Sequence, residues 1–336
     1  MSMALPSTEL PFADAQPEAT AASRRALVFP GQGSQAVGMG RELAERYAVA
    51  RRVFDEVDAA LGQRLSALMA DGPEAELTLT ENAQPALMAV SMAVLAVLRE
   101  EHDIDITRLG RCVAGHSLGE YTALVAAGTL TLHDAAHLVR IRGQAMQAAA
   151  PAGVGAMAAV LGADDELVER ICAEVSGDHV VVPANYNSPG QIVIGGHATA
   201  VDAAIAKLAE NGVRKAVKLA VSVPSHTPLM REAANRLAEA MSGHAWKTPG
   251  IPVVQNVDAR IEHGVDAIRD ALVRQLYLPV RWTGCVQTLA AAGITRIGEC
   301  GPGKVLSGLI KRIDKSLDAR ALGTPAEHED ARTAWG

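Results

Sequence analysis

Residues 111–128 read RCVAGHSLGEYTALVAAG. A short apolar run, RCVA, leads into Gly115-His116-Ser117-Leu118-Gly119, and EYTALVAAG follows as a helix-forming segment. Gly-x-Ser-x-Gly between a strand and a helix is the pattern of a nucleophile elbow, a sharp turn that exposes a serine hydroxyl at the end of a sheet. The glycines are needed because so tight a turn leaves no room for side chains beside the serine. The start of the next helix then points backbone N–H groups toward negative charge that develops there. The stretch predicts an α/β fold with Ser117 as its nucleophile.

Outward from the elbow, the chain reads in two styles. From Ala26 to about Ala150 the pattern is a strand (26–29), helices over 39–61 and 81–100, a strand at 112–114, and helices over 118–127 and 131–149. From Gly155 the rhythm becomes strand (GAMAAVLG), helix (164–175), strand (HVVVPANY), turn, strand (QIVIGG), helix (198–210), strand (RKAVKLAV). That βαββαβ order is the split pattern of a ferredoxin-like domain. Helix-rich sequence then returns after Pro224, with helices over 227–241, 265–276, 283–292 and 305–313 and strands at PVVQNV and ITRIGE. The expected architecture is a large α/β-hydrolase-like domain, residues 25–150 and 222–322, with a small ferredoxin-like domain, 151–221, inserted into it. Tails are expected at 1–24 and 323–336. An insertion leaves a cleft at its junction, a common position for a site.

A serine hydroxyl is a weak nucleophile until an adjacent base takes its proton. Of the ten histidines, His116 leaves the elbow in a different direction, and His133, His137, His197 and His244 have no partner cue. His226, in SVPSHTPLM, stands where the chain re-enters the large domain from the insertion. The order Ser, acid, His of α/β hydrolases finds no well-placed acid between the two, which leaves a backbone carbonyl as the group that holds the imidazole tautomer.

Two stretches imitate nucleotide sites. LVFPGQGSQA, 27–36, opens like a dinucleotide-binding turn, but a helical pattern follows it and the second strand with its acidic end is missing. GECGPGKV, 298–305, has P-loop spacing, yet Val305 stands where a Ser or Thr would hold magnesium and Pro302 removes an N–H. Both are set aside as nucleotide sites. Composition sets the frame: 336 residues, 49% apolar, can bury one large core or a large core with a smaller satellite domain, and 31 basic against 38 acidic residues give a net charge of −7, which argues against nucleic acid as main partner. The four cysteines lack paired spacing and read as buried thiols. No signal peptide is legible, and the most apolar run, 83–98, is shorter than the ~20 residues of a membrane span. A cytoplasmic location without membrane attachment is expected.

Several further segments agree in kind and order with one family. FPGQGSQ (29–35), GHSLGEY (115–121), LVRIRGQ (138–144), NSPGQIVI (187–194), VSVPSH (221–226), LVRQLYLPVRW (272–282) and GPGKVLSGL (301–309) make the chain resemble the malonyl-CoA:acyl carrier protein transacylases of the discrete bacterial type, from about Arg25 to Leu322. The resemblance implies Ser117 as nucleophile, His226 as general base and acid, and the backbone carbonyl of Gln275 as the acceptor that orients His226. It implies an oxyanion hole from Gln32 and the Leu118 N–H, and a grip on the malonyl carboxylate by Arg142, whose guanidinium suits bidentate carboxylate recognition. Arg140, two residues away on the same expected helix, faces elsewhere and suits a structural salt bridge. Docking of the carrier protein is implied at Arg214, Lys215, Lys311 and Arg312. The implied activity is transfer of malonyl from malonyl-CoA to the phosphopantetheine thiol of acyl carrier protein for fatty acid biosynthesis, by a monomer without metal or redox cofactor. A malonyl transferase of a malonate decarboxylase or polyketide pathway, and a serine esterase or thioesterase, are the alternatives.

Overall fold

The structure, a computed structural model, describes residues 24–102, 110–151, 153–221 and 223–335. The expected N-terminal tail, apart from Arg24, lies outside them. In chain order β1 (Arg25–Phe29) leads to α1 (Arg41–Arg46), α2 (Ala48–Leu61), α3 (Leu65–Asp71), α4 (Glu74–Leu77) and α5 (Thr80–His102). β2 (Gly110–Gly115) runs through the elbow into α6 (Gly119–Ala126) and α7 (Leu132–Ala149). Then come β3 (Gly155–Leu161), α8 (Asp165–Val175), β4 (Val181–Ser188), β5 (Gln191–His197), α9 (Ala198–Glu210) and β6 (Lys215–Lys218). The last third holds a 3-10 turn (Pro228–Met230), α10 (Arg231–Met241), β7 (Val253–Val254), β8 (Ile261–Glu262), α11 (Val265–Gln275), α12 (Trp282–Ala291), β9 (Arg296–Glu299), α13 (Val305–Ile313), β10 (Asp318–Ala321) and α14 (Pro325–Trp335).

A six-stranded sheet, in the order β10-β9-β1-β2-β7-β8, is parallel except for its last pair. Alternation along β1 explains why helices cover both faces. Phe29 packs with Leu87, Leu118 and Leu124 of α5 and the elbow helix, whereas Ala26 and Val28 pack with Trp282, Val286 and Ile310 of α12 and α13. At the centre, Val28 lies beside Ala114 and Phe29 beside Gly115, so β1 and β2 end together and their following turns meet. α5 is 23 residues long, longer than the expected 81–100, and is apolar enough to cross a membrane, but 83% of its most apolar window is buried inside the protein.

The second sheet, β4-β5-β3-β6, is antiparallel throughout. Ala158, Val160, Ile192 and Ile194 pack on α8 and α9, while Met157, Ala159 and Val193 on the other face line a cavity shared with the large sheet. Tyr186 N–H donates to Val280 O at 2.9 Å and ties this sheet to the segment between α11 and α12.

Two expectations are corrected. The helix expected over 39–61 is broken at Tyr47, which takes an extended conformation and sets its ring edge-on to His102, 6.4 Å between centroids. The segment expected as a tail at 323–336 carries β10's successor α14. Thr324-Pro325-Ala326-Glu327 caps that helix: the Glu327 carboxylate accepts the N–H groups of Gly323 and Thr324, and the Thr324 hydroxyl accepts that of Glu327. His328 and Ala331 are buried beneath it. GECGPGKV, set aside as a nucleotide site, has its helix start already occupied. Both Glu299 carboxylate oxygens accept there, from Leu306 N–H at 3.0 Å and Ser307 N–H at 2.7 Å.

Candidate active site

The elbow is held by contacts that only glycine permits. A Cβ at position 115 would lie 1.8 Å from the Gly119 carbonyl carbon, and one at 119 would lie 2.0 Å from Phe29 O. Between them Ser117 adopts φ 52°, a left-handed conformation that costs an L-residue about 1–3 kcal/mol and persists only where surroundings enforce it. The enforcement is visible. Ser117 N–H donates to Asn256 Oδ1 at 2.7 Å, and Asn256 Nδ2 donates to Gly115 O at 2.7 Å. The turn after β1 presses on the same spot: His116 N–H donates to Phe29 O, and a Cβ on Gly31 would meet His116 O at 2.6 Å.

His226 also has positive φ, 62°, and is fixed by its N–H to Leu276 O. Its Nε2 lies 2.8 Å from Ser117 Oγ and its Nδ1 lies 2.6 Å from Gln275 O. A carbonyl only accepts, so Nδ1 carries the proton and Nε2 is the free acceptor for the serine O–H. Burial, and next the positive charge of Arg142, push this imidazole down to about 3, against the pull of the Gln275 carbonyl. This imidazole is thus neutral at physiological pH.

Arg142, on α7, is buried, and burial lowers its pKa. It donates to Gln84 Oε1 (2.8 Å), Gln275 Oε1 (3.0 Å) and Ser117 Oγ (3.1 Å), and its guanidinium carbon lies 5.6 Å from the Tyr121 ring centroid. Among the described residues no carboxylate is ion-paired with it. Arg140 points away, as expected, but its partners are the neutral amides of Asn82 and Gln63, not an acid.

Gln32 and Leu118 both line the cavity with Ser117, His226 and Arg142; its volume is about 670 Å³, within the range of small-molecule sites. The Gln32 side chain turns to Thr80 Oγ1, 3.4 Å away. Among the described residues neither the Gln32 nor the Leu118 N–H has a protein acceptor, so backbone donors rather than an amide side chain are what this loop offers. His116 is not the ring that reaches the serine: its Nε2 meets Asn187 Oδ1 at 2.8 Å, whereas Ser117 Oγ meets His226.

The four surface cations are not brought together. Arg312 donates to Gln191 Oε1 at 2.6 Å, at the cavity rim. Lys215 is in register with Leu161, itself in register with Gln191, so it shares that end of the small sheet with exposed Arg214 beside it. Lys311 instead lines a second cavity of about 370 Å³ with Lys304, Ser307 and Arg320. The helix period explains the separation: Val305 and Leu309 of α13 face the first cavity, Ser307 and Lys311 the second.

Several site residues escaped the sequence reading. Asn256, Glu120, Gln84 and the side chain of Gln275 are all buried and hydrogen-bonded around the elbow. Their signal was a polar residue inside an apolar run: Asn256 in PVVQNV, Glu120 in GEYTALVA. Among the described residues no group of three or more His, Cys, Asp or Glu is arranged to hold a metal.

Comparison with known proteins agrees with a serine-centred acyl-transfer site. A family model described as an acyl transferase domain matches residues 26–311, and the chain belongs to that family. Within it, the chain is 48% identical over 301 residues to the malonyl CoA-acyl carrier protein transacylase of Escherichia coli K12, covering 90% of this chain and 96% of that one. The crystal structure of a malonyl-CoA:acyl carrier protein transacylase from Xanthomonas oryzae pv. oryzae superposes with a TM-score of 0.91 at 66% identity, covering 94% of this chain and 99% of that one. A type II PKS acyl-carrier protein in complex with its malonyl-transacylase is a further neighbour, at 46% identity and a TM-score of 0.89, covering 93% and 99%.

Proposed function

We propose that the protein transfers malonyl from malonyl-CoA to the phosphopantetheine thiol of acyl carrier protein, for fatty acid biosynthesis. The observation that carries this reading is the buried Arg142 guanidinium, 3.1 Å from the Ser117 hydroxyl and without a carboxylate partner. Such a group beside a nucleophile fits a substrate whose acyl chain ends in an anion, and malonyl is the short acyl group of that kind.

In the first half-reaction the Ser117 proton passes to His226 Nε2 as Oγ attacks the thioester carbon. The oxyanion is received by the Gln32 and Leu118 N–H groups, donors fixed before the reaction starts. The tetrahedral intermediate collapses, the C–S bond breaks, and CoA leaves with the proton from His226. The carrier thiol then gives its proton to His226, its sulfur attacks the malonyl-serine ester, and Ser117 Oγ recovers the proton. Gln275 O holds the Nδ1–H through both halves and stabilises the imidazolium, less strongly than a carboxylate would. Two thioesters exchange with little driving force, so positioning and electrostatics carry the rate. No metal or redox cofactor enters this route.

The domain reading supports it. The order β4-β5-β3-β6 with α8 and α9 on one face suits a ferredoxin-like domain at 151–221. The central strand feeding the elbow suits an α/β-hydrolase-like large domain at 25–150 and 222–322. The carrier protein approaches along the rim at Arg312, Lys215 and Arg214, and the enzyme works as a cytoplasmic monomer. Brief incubation with malonyl-CoA followed by peptide mass spectrometry tests the reading: a malonyl adduct on the Ser117 peptide, absent in Ser117→Ala, is expected, and an adduct on another residue refutes it.

A further inference from the structure

A buried cation requires a counter-charge, and among the described residues Arg142 finds only neutral oxygens in contact, those of Gln84, Gln275 and Ser117. The nearest acid is reached through one amide. Glu120, fully buried, accepts the Gln275 Nε2–H on Oε2 at 2.9 Å, and the oxygen of the same amide accepts from Arg142 at 3.0 Å. The Gln275 amide thus stands with its N–H toward a carboxylate and its oxygen toward a guanidinium, the orientation an anion on one side and a cation on the other impose. Asn256 N–H fills Oε2 as well, at 2.9 Å. The other oxygen, Oε1, is buried with no hydrogen-bond partner. An ionised carboxylate with one bare buried oxygen depends on the two N–H groups at its other oxygen and on the charge it faces.

We propose that Glu120 is the counter-charge of Arg142 in the empty site, and that it takes a proton from solvent onto Oε1 when a substrate carboxylate pairs with Arg142. The proposal rests on the reading of Arg142 as the malonyl carboxylate partner. Glu120 makes no contact with substrate and acts as a positioning residue. Its neutralisation keeps two carboxylates from sharing one guanidinium. Burial pushes the Glu120 carboxyl up to about 7, although Asn256, Gln275 and Arg142 pull it down, so either protonation state is accessible near neutral pH. The other groups facing it keep one protonation state near neutral pH: Asp258 is paired with Arg274 at 2.8 Å, which holds it ionised, and burial holds Tyr121 and Cys285 protonated.

Titration calorimetry on the full-length Ser117→Ala protein, at pH 7.5 in three buffers of different ionisation enthalpy, reads the proton directly. Malonyl-CoA is expected to take up roughly 0.8 proton more than acetyl-CoA, the ionised fraction at this pH of an acid with a pKa of about 7. Adding Glu120→Gln, which keeps an acceptor for Gln275, should abolish that difference while malonyl-CoA still binds. Equal uptake with the two thioesters overturns the proposal, as does excess uptake that persists with Glu120→Gln. If that variant does not fold, the malonyl-acetyl difference in the parent decides alone. Arg142→Ala in the same background separates the two readings. An unchanged malonyl-to-acetyl affinity ratio refutes the carboxylate reading and Glu120's role with it; a collapsed ratio without excess uptake in the parent refutes only the role of Glu120.

Discussion

Arg142→Ala provides the sharpest test of substrate choice. In the structure this guanidinium is buried, donates through its two terminal nitrogens to two neutral amides and to Ser117, and among the described residues faces no acid in contact. A malonyl carboxylate would replace a weak contact with a charge-assisted pair in a desolvated cavity. Removing one partner of such a pair costs about 2–5 kcal/mol, which is roughly 30-fold to several-thousand-fold in kcat/KM. Acetyl-CoA brings no carboxylate, so for it the loss is confined to the Ser117 Oγ bond and to the electrostatic hold on His226. The arginine also depresses the base, and its removal makes His226 a stronger one. The acetyl specificity constant is therefore expected to stay within about tenfold of wild type or to rise. The assay is kcat/KM for malonyl-CoA and acetyl-CoA on the same preparations, with Arg140→Ala as control, since Arg140 serves only Asn82 and Gln63 and should leave the ratio intact. Equal losses for both substrates in Arg142→Ala would refute the carboxylate pairing and make the residue a structural one.

Other outcomes follow from single contacts. Asn256→Ala removes the acceptor of the part-buried Ser117 N–H, at about 1 kcal/mol; a lower melting temperature and a kcat reduced about tenfold are expected in thermal unfolding and steady-state assays, and unchanged values would deny it a role in holding the elbow. Arg312→Glu should raise the carrier-protein KM and weaken its salt dependence, whereas Lys311→Glu, facing the second cavity, should do neither; equal effects from both would move the docking rim. His328 is buried and neutral, pushed down to about 4 by burial foremost, with its Nε2–H on Leu322 O. Since the unfolded chain protonates this group near 6.5 and the folded one near 4, its contribution is full above pH 6.5 and is lost as pH falls toward 4, up to about 3 kcal/mol. His328→Gln should flatten the fall of urea-unfolding stability across that window, and an unaltered slope would show that His328 does not report it.

What the sequence determined by itself was everything that depends on neighbours along the chain. Gly115 and Gly119 follow from the steric demand of the elbow, and the structure shows the colliding atoms. The elements of β3 to β6 follow from alternation and turn residues, and α9 was bounded at Ala198 and Glu210 as found. Where local rules were overlooked the errors were local too: Thr324-Pro325-Ala326-Glu327 is a capping box that announces α14. The expected helix across Tyr47 failed for a different reason. Its period continued, but burial of that ring against His102, a residue of α5, outweighed helical propensity.

Only the tertiary structure decided how the site is wired. The serine and its base are 109 residues apart, Arg142 meets Gln84 across 58 and Gln275 across 133, and Asn256 reaches the elbow across 139. A buried polar group must find a partner, but the rule does not say which one. Asn256 and Glu120 looked like isolated polar residues in apolar runs until the sheet brought β2, β7 and the end of α11 to one point. The same holds for Lys311, whose charge was legible and whose direction was set by which face of α13 the cleft required. Sequence fixes the chemistry each residue can offer through its local backbone; long-range packing selects which offers meet, because partners separated by a hundred residues are chosen by the shape of the core between them.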